Sequence, residues 1–144
     1  MNLAGFTHTP AITCTPSTPL ADAARLMADN DVGSVVVLDQ QGELAGIVTD
    51  RDLATRGLAH RREPDTPIAE IMTPTVVFLR EDANVFAAAT QMATAGCRRM
   101  PVLDTEGQLK GVIALDDLLT LFARQTDKLA EVVAAEVPRA FMGR

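Results

Sequence analysis

Apolar positions along the chain fall into two alternating textures. At Leu20, Ala23, Ala24 and Met27 they recur three and four residues apart after Ser17-Thr18-Pro19. This predicts a short amphipathic helix with Ser or Thr available as its cap and Pro in its first turn. Val35-Val36-Val37-Leu38 is then an unbroken apolar run, and Asp39-Gln40-Gln41-Gly42 reads as a turn. Leu44-Ala45-Gly46-Ile47-Val48 follows as a second strand and passes into a helix from Thr49. The same order returns downstream. A helix is expected around Phe86 to Met92, a strand from Met100 to Leu103, a turn at Thr105-Glu106-Gly107, a strand from Leu109 to Ile113 and a helix from Leu115. Pro101 has no N–H to donate, which predicts an unpaired edge at that point of its strand. From about Asp116 to Glu136, one helical face gathers Leu118, Leu121, Phe122, Leu129, Val132 and Val133, with charges opposite. That last helix outlasts its counterpart and carries apolar surface for a second subunit or a partner protein.

The recurrence is an internal duplication. Residues 17–53 align on residues 82–118 without a gap: Met27 on Met92, Val37-Leu38-Asp39 on Val102-Leu103-Asp104, Gly46 on Gly111 and Asp52-Leu53 on Asp117-Leu118, each 65 positions apart. Glycines and acids match as well as aliphatics, so shared hydrophobicity does not account for it. Residues 59–67 are polar with two prolines and read as a linker. Ile68 to Met72 reads as one helical turn ending at Thr73-Pro74. The expected boundaries are 8–58 for the first repeat, 59–70 for the linker, 71–123 for the second repeat and 124–144 for the C-terminal helix and tail.

Length and charge narrow the function classes. A chain of 144 residues buries roughly two-thirds of its unfolded surface and needs no staple. Cys14 and Cys97 do not correspond under the 65-residue offset, and the first residues lack the order of a signal peptide, so a reduced, cytoplasmic protein is expected. No apolar run reaches the roughly 20 residues that cross a bilayer. A net charge of −6 argues against general nucleic-acid binding while leaving room for a small anion in a local basic pocket. His8 and His60 share no spacing with cysteine or acid pairs, so no metal site is expected. No nucleophile elbow, Walker loop or Cys/His arrangement is present, and no enzyme is expected. Met27, Met72, Met92 and Met100 read as core filler.

Met72-Thr73-Pro74, the Val-Leu-Asp and Gly turns, and above all Gly46-Ile47-Val48-Thr49-Asp50-Arg51-Asp52 strongly resemble a CBS domain, and the pair resembles a Bateman module. The resemblance spans about residues 10–123. It implies an α/β fold of tandem CBS repeats, each a short β-sheet packed by two helices, forming one pseudo-two-fold module with an extended C-terminal helix. Repeat one departs by opening on Thr9-Pro10-Ala11-Ile12-Thr13 with no Met-Thr-Pro, so a shorter or less ordered opening strand is expected there.

Gly46 lets backbone approach a ligand closely, and Thr49 stands where strand gives way to helix, with hydroxyl and free N–H groups aimed at one spot that favours phosphate. Asp52, one turn on, suits the two hydroxyls of a ribose. The resemblance gives Thr49 and Asp52 these roles. The same Thr-x-x-Asp spacing is equally that of a capping box. Repeat two keeps Asp117 but has Ala114 in place of Thr49, so its site, at Ile12, Ser34 and Asp117, is either weaker or vacant. Arg98 and Arg99 stand where repeat one has Gly33 and Ser34. In related modules this place faces the phosphates of a nucleotide held by the Asp of the other repeat, so both arginines complete the Asp52 site, with Thr75, Val76 and Val77 lying against adenine. Otherwise they are surface residues answering acids. Cys97 is either a thiol activated by these arginines or a packed apolar side chain.

What the resemblance implies is a regulatory sensor with no required cofactor. It binds AMP, ADP, ATP, NAD or S-adenosylmethionine in the cleft between repeats, forms a homodimer and signals in trans to a protein effector. The alternative is a ligand-free dimerisation scaffold whose sites have decayed.

Overall fold

The computed structural model describes Leu3, residues 10–74 and residues 77–136. The element order is β1 (Thr13–Cys14), α1 (Leu20–Asn30), β2 (Ser34–Leu38), β3 (Leu44–Thr49), α2 (Asp50–Asp52), β4 (Leu79–Arg80), α3 (Val85–Ala95), β5 (Arg99–Leu103), β6 (Leu109–Ala114) and α4 (Leu115–Glu136). Two three-stranded sheets result, ordered β1-β2-β3 and β4-β5-β6. In each, a short parallel strand joins an antiparallel hairpin. The duplication holds to the register. Cys14 pairs with Val37 and Leu79 with Val102, and the irregularity between Val37 and Leu38 recurs between Val102 and Leu103.

Sequence chemistry accounts for the repeated corners. The Asp39 carboxylate accepts from the Gln41 and Glu43 N–H groups, and Asp104 accepts from Glu106 and Gln108, so each hairpin is held by an aspartate that mimics a turn of backbone. Helices α1 and α3 both end in a left-handed residue, Asp31 at φ 51° and Gly96 at φ 65°. Their starts differ. Asn84 caps α3 by accepting from the Ala87 N–H at 2.8 Å. Helix α1 has Pro19 at its cap position and no side-chain cap; Ser17 and Thr18 do not serve, and Thr18 Oγ1 instead accepts from the Thr15 N–H. The free N–H groups of Leu20 and Ala21 donate to the Thr66 and Pro64 carbonyls, so the polar stretch between the repeats is the cap of α1.

Pro101 sits in the central strand of its sheet, paired with Val112 on one side only. Its counterpart Val36 donates its N–H to the Ile12 carbonyl. The proline cannot, and β4 pairs only with Val102 and Leu103. The helix entered at Thr49 is irregular, widening to π-type turns over Leu53–Gly57 and tightening over Leu58–His60.

Two apolar clusters form the core, and each borrows from the other half. Leu20, Ala23, Met27, Val35, Val37 and Val48 enclose Ile68 and Ile71, which follow the linker. Leu79, Val85, Met92, Met100, Val102, Ile113, Leu118 and Leu121 enclose Leu3, which comes from the start of the chain. Leu3 also donates its N–H to the Glu81 carbonyl, and Ile68 donates to Thr18. In α4 the expected apolar face divides. Leu118 and Leu121 are buried and Phe122 packs edge-on to Phe86 with ring centroids 5.2 Å apart, while Leu129, Val132 and Val133 are exposed. Among the described residues no helix is long and apolar enough to cross a membrane.

Candidate functional site

The end of β3 and the segment before β5 face each other across a cavity of about 330 Å³. Thr49, Asp52, Val77, Arg98 and Arg99 all line it, together with Ile47, Arg51, Thr73 and Ala95-Gly96-Cys97. Five residues marked in the sequence are therefore brought to one place. Thr75 and Val76 lie outside the described residues. Gly46 is not among the lining residues. Its close approach is to protein: a Cβ there would stand 2.7 Å from Met72 Sδ and 2.8 Å from the Thr73 carbonyl oxygen. Thr73 and Ile47 exchange backbone hydrogen bonds at 3.0 and 3.2 Å, so Gly46 admits the strand-like contact that sets Thr73 in the cavity wall.

Thr49 and Asp52 form the capping box. Thr49 Oγ1 accepts from the Asp52 N–H at 3.2 Å, and Asp52 Oδ2 accepts from the Thr49 N–H at 2.9 Å. The box does not exhaust either group. A hydroxyl that accepts still has its proton to donate, and the second carboxylate oxygen, Oδ1, stands 3.7 Å from Arg56 Nε. Structural cap and ligand contact are compatible in the same two side chains.

A second cavity of about 280 Å³ is lined by Ile12, Ser34 and Asp117, the residues marked for the second site, and by Asp31, Val32, Gly33, Arg99, Ala114 and Asp116. It is the counterpart of the first at the 65-residue offset, with Ala114 for Thr49, Asp116 for Arg51, Asp117 for Asp52, Gly33 for Arg98 and Ser34 for Arg99. Asp117 Oδ2 accepts from the Ala114 N–H at 2.8 Å, but Ala114 has no hydroxyl to return the bond. The charges are reversed. Among the described residues the first cavity is lined by Arg51, Arg98 and Arg99 against Asp52, and the second by Arg99 alone against Asp31, Asp116 and Asp117. Arg51 and Asp116 escaped the sequence reading because the Thr-x-x-Asp pattern leaves both positions open. Their signal lay in comparing the halves, which carry opposite charges there.

Arg99 Nη1 stands 3.6 Å from Asp50 Oδ1. Burial raises the Cys97 thiol above its ordinary value, and backbone hydrogen bonds oppose this more weakly, so the adjacent arginines do not activate it. Among the described residues no three His, Cys, Asp or Glu side chains cluster as metal ligands, and His8 lies outside them.

The CBS domain family model matches residues 3–58 and again 68–124. The chain is 35% identical over 109 residues to an uncharacterised protein of Methanopyrus kandleri, covering 75% of this chain and 56% of that one. It is 36% identical to the CBS domain-containing protein YhcV of Bacillus subtilis, covering 76% of this chain and 77% of the relative. In structure it resembles the CBS domain pair of protein MJ0100, solved in complex with 5′-methylthioadenosine and S-adenosyl-L-methionine, at TM-score 0.77 and 26% identity over 87% of this chain and 98% of that one. The chain belongs to the CBS domain family and carries a tandem pair of its domains.

Proposed function

We propose that this CBS pair is a non-catalytic regulatory module that binds an adenosine-containing ligand in the Asp52 cavity. The observation that carries the reading is the charge contrast between two cavities built on one plan. The Asp52 cavity combines a carboxylate suited to ribose hydroxyls with the Thr49 hydroxyl and three guanidinium groups, the side chain that grips phosphate oxygens in pairs. Two of these, Arg51 and Arg98, make no ion pair among the described residues. The binding of adenosyl ligands by the MJ0100 pair supports the ribose and adenine part of the reading. A nucleoside mono- or diphosphate fits the three arginines. Val77, with Thr75 and Val76 beside it in sequence, is assigned to the adenine. The Asp117 cavity, with three carboxylates and no counterpart to the Thr49 hydroxyl, disfavours phosphate and is the weaker site.

The ligand acts by favouring one arrangement of the pair, and the signal passes in trans to a protein effector. The exposed Leu129, Val132 and Val133 of α4 provide the surface for a homodimer, or for that effector. A ligand-free scaffold is the second reading, favoured by a capping box already complete without ligand.

Calorimetric titration with AMP, ADP, ATP, NAD and S-adenosylmethionine in parallel separates the two. Saturable binding near one site per chain is expected, weakened about ten- to a hundredfold by Asp52→Ala, since removing a charged hydrogen-bond acceptor costs roughly 1.5–3 kcal/mol. No heat and no thermal stabilisation from any of them favours the scaffold, and unchanged affinity in the variant places the ligand elsewhere.

A further inference from the structure

We propose that Arg99 is one cation shared by both cavities, so that phosphate-bearing ligands in the Asp52 and Asp117 cavities compete for it. The inference rests on reading these cavities as adenosyl-ligand sites. Arg99 lines both of them, whereas its counterpart Ser34 lines only the second. Glycine makes this possible. The guanidinium lies across Gly33, where an added Cβ would stand 2.5 Å from Nη2 and 2.8 Å from Cζ. Repeat two has Arg98 at the position of Gly33, so the space that one repeat leaves empty is filled by the arginine of the other.

The two cavities depend on this group unequally. Without Arg99 the Asp52 cavity keeps Arg51 and Arg98. Among the described residues the Asp117 cavity has no other cation in its lining and is faced by Asp31, Asp116 and Asp117, so Arg99 is the group on which its acceptance of an anion turns. The guanidinium is held at 3.6 Å by Asp50, whose side chain is 65% exposed and lines neither cavity. An exposed pair of this kind is worth little and yields to a phosphate on either side. A phosphate in the Asp52 cavity draws the guanidinium to itself and away from the other cavity, whose described lining holds no second cation.

AMP and adenosine differ by the phosphate and serve as probes. Each is titrated into the full chain while backbone amide resonances at Ala95–Gly96 and at Ile12 and Asp117 report the two cavities separately. Arg99→Gln is expected to weaken AMP at both cavities about tenfold or more, with adenosine unaffected at either, and Arg98→Gln to weaken AMP at the Asp52 cavity alone. In Asp52→Ala, where the first cavity no longer competes, AMP is expected to bind the Asp117 cavity about tenfold more tightly than in the wild type. A loss confined to one cavity in Arg99→Gln, or an Asp117 cavity indifferent to Asp52→Ala, overturns the sharing and leaves the adenosyl reading standing. No response to either ligand at either cavity of the wild type overturns both.

Discussion

Gly46 shows how one residue of a motif can matter for a reason other than the expected one. The space above it is taken by Met72 Sδ and the Thr73 carbonyl oxygen. Gly46→Ala drives a methyl group into backbone as well as into a flexible thioether. A loss of about 1–3 kcal/mol in urea unfolding is expected, the range of overpacking in a tight contact. Ligand affinity should fall with it, because Thr73 lines the Asp52 cavity; a neutral variant would mean that Met72 and Thr73 yield freely. Thr49 and Asp52 were marked by residue type and spacing, and Arg98 and Arg99 by the resemblance together with the guanidinium's fit to phosphate; all four line the Asp52 cavity. What the Thr-x-x-Asp spacing could not decide was whether cap or ligand holds the pair, since the hydrogen-bonding capacity of these groups admits both.

Helices α1 and α3 show where local sequence suffices. Both stop at a left-handed residue, but Asp31 carries a Cβ that Gly96 lacks. Nothing lies within 4 Å of a Cβ built on Gly96, so a substitution there meets only the backbone cost. Gly96→Ala should therefore destabilise by about 1 kcal/mol, and Asp31→Gly should stabilise by roughly 0.5–1 kcal/mol, both read by thermal or urea melts. Asp31 also lines the Asp117 cavity, so its removal lightens that cavity's acidity. Strands β2, β3, β5 and β6, their hairpins and α3 were readable from period and turn residues, whereas β1 and β4, two residues each, are too short to show a period. The start of α1 was not, because its cap comes from Pro64 and Thr66, more than forty residues away in sequence. The unpaired edge at Pro101 was readable, since a missing N–H is a property of the residue itself.

At the scale of the whole molecule, the duplication fixed the plan of two sheets and two cavities, and the departures from it are where function is sought. The long α4 leaves Leu129, Val132 and Val133 exposed at 67%, 57% and 61%. Sedimentation of the wild type is expected to show a dimer, and Leu129→Lys with Val133→Lys to give a monomer that retains its melting temperature. A wild type already monomeric at tens of micromolar removes the homodimer and leaves the face to a partner.

The reciprocal seating of Leu3 and Ile68 has a further consequence. Each half keeps a side chain in the interior of the other, so neither is a self-sufficient module despite reading as one. Cutting the chain between the repeats, ahead of Ile68, would leave one fragment without Ile68 and Ile71 and the other without Leu3, each with a cavity in place of buried side chains. The pair, and not either repeat alone, is then the expected unit of folding, and the two cavities can differ in charge because the shared core and not their lining holds the halves together.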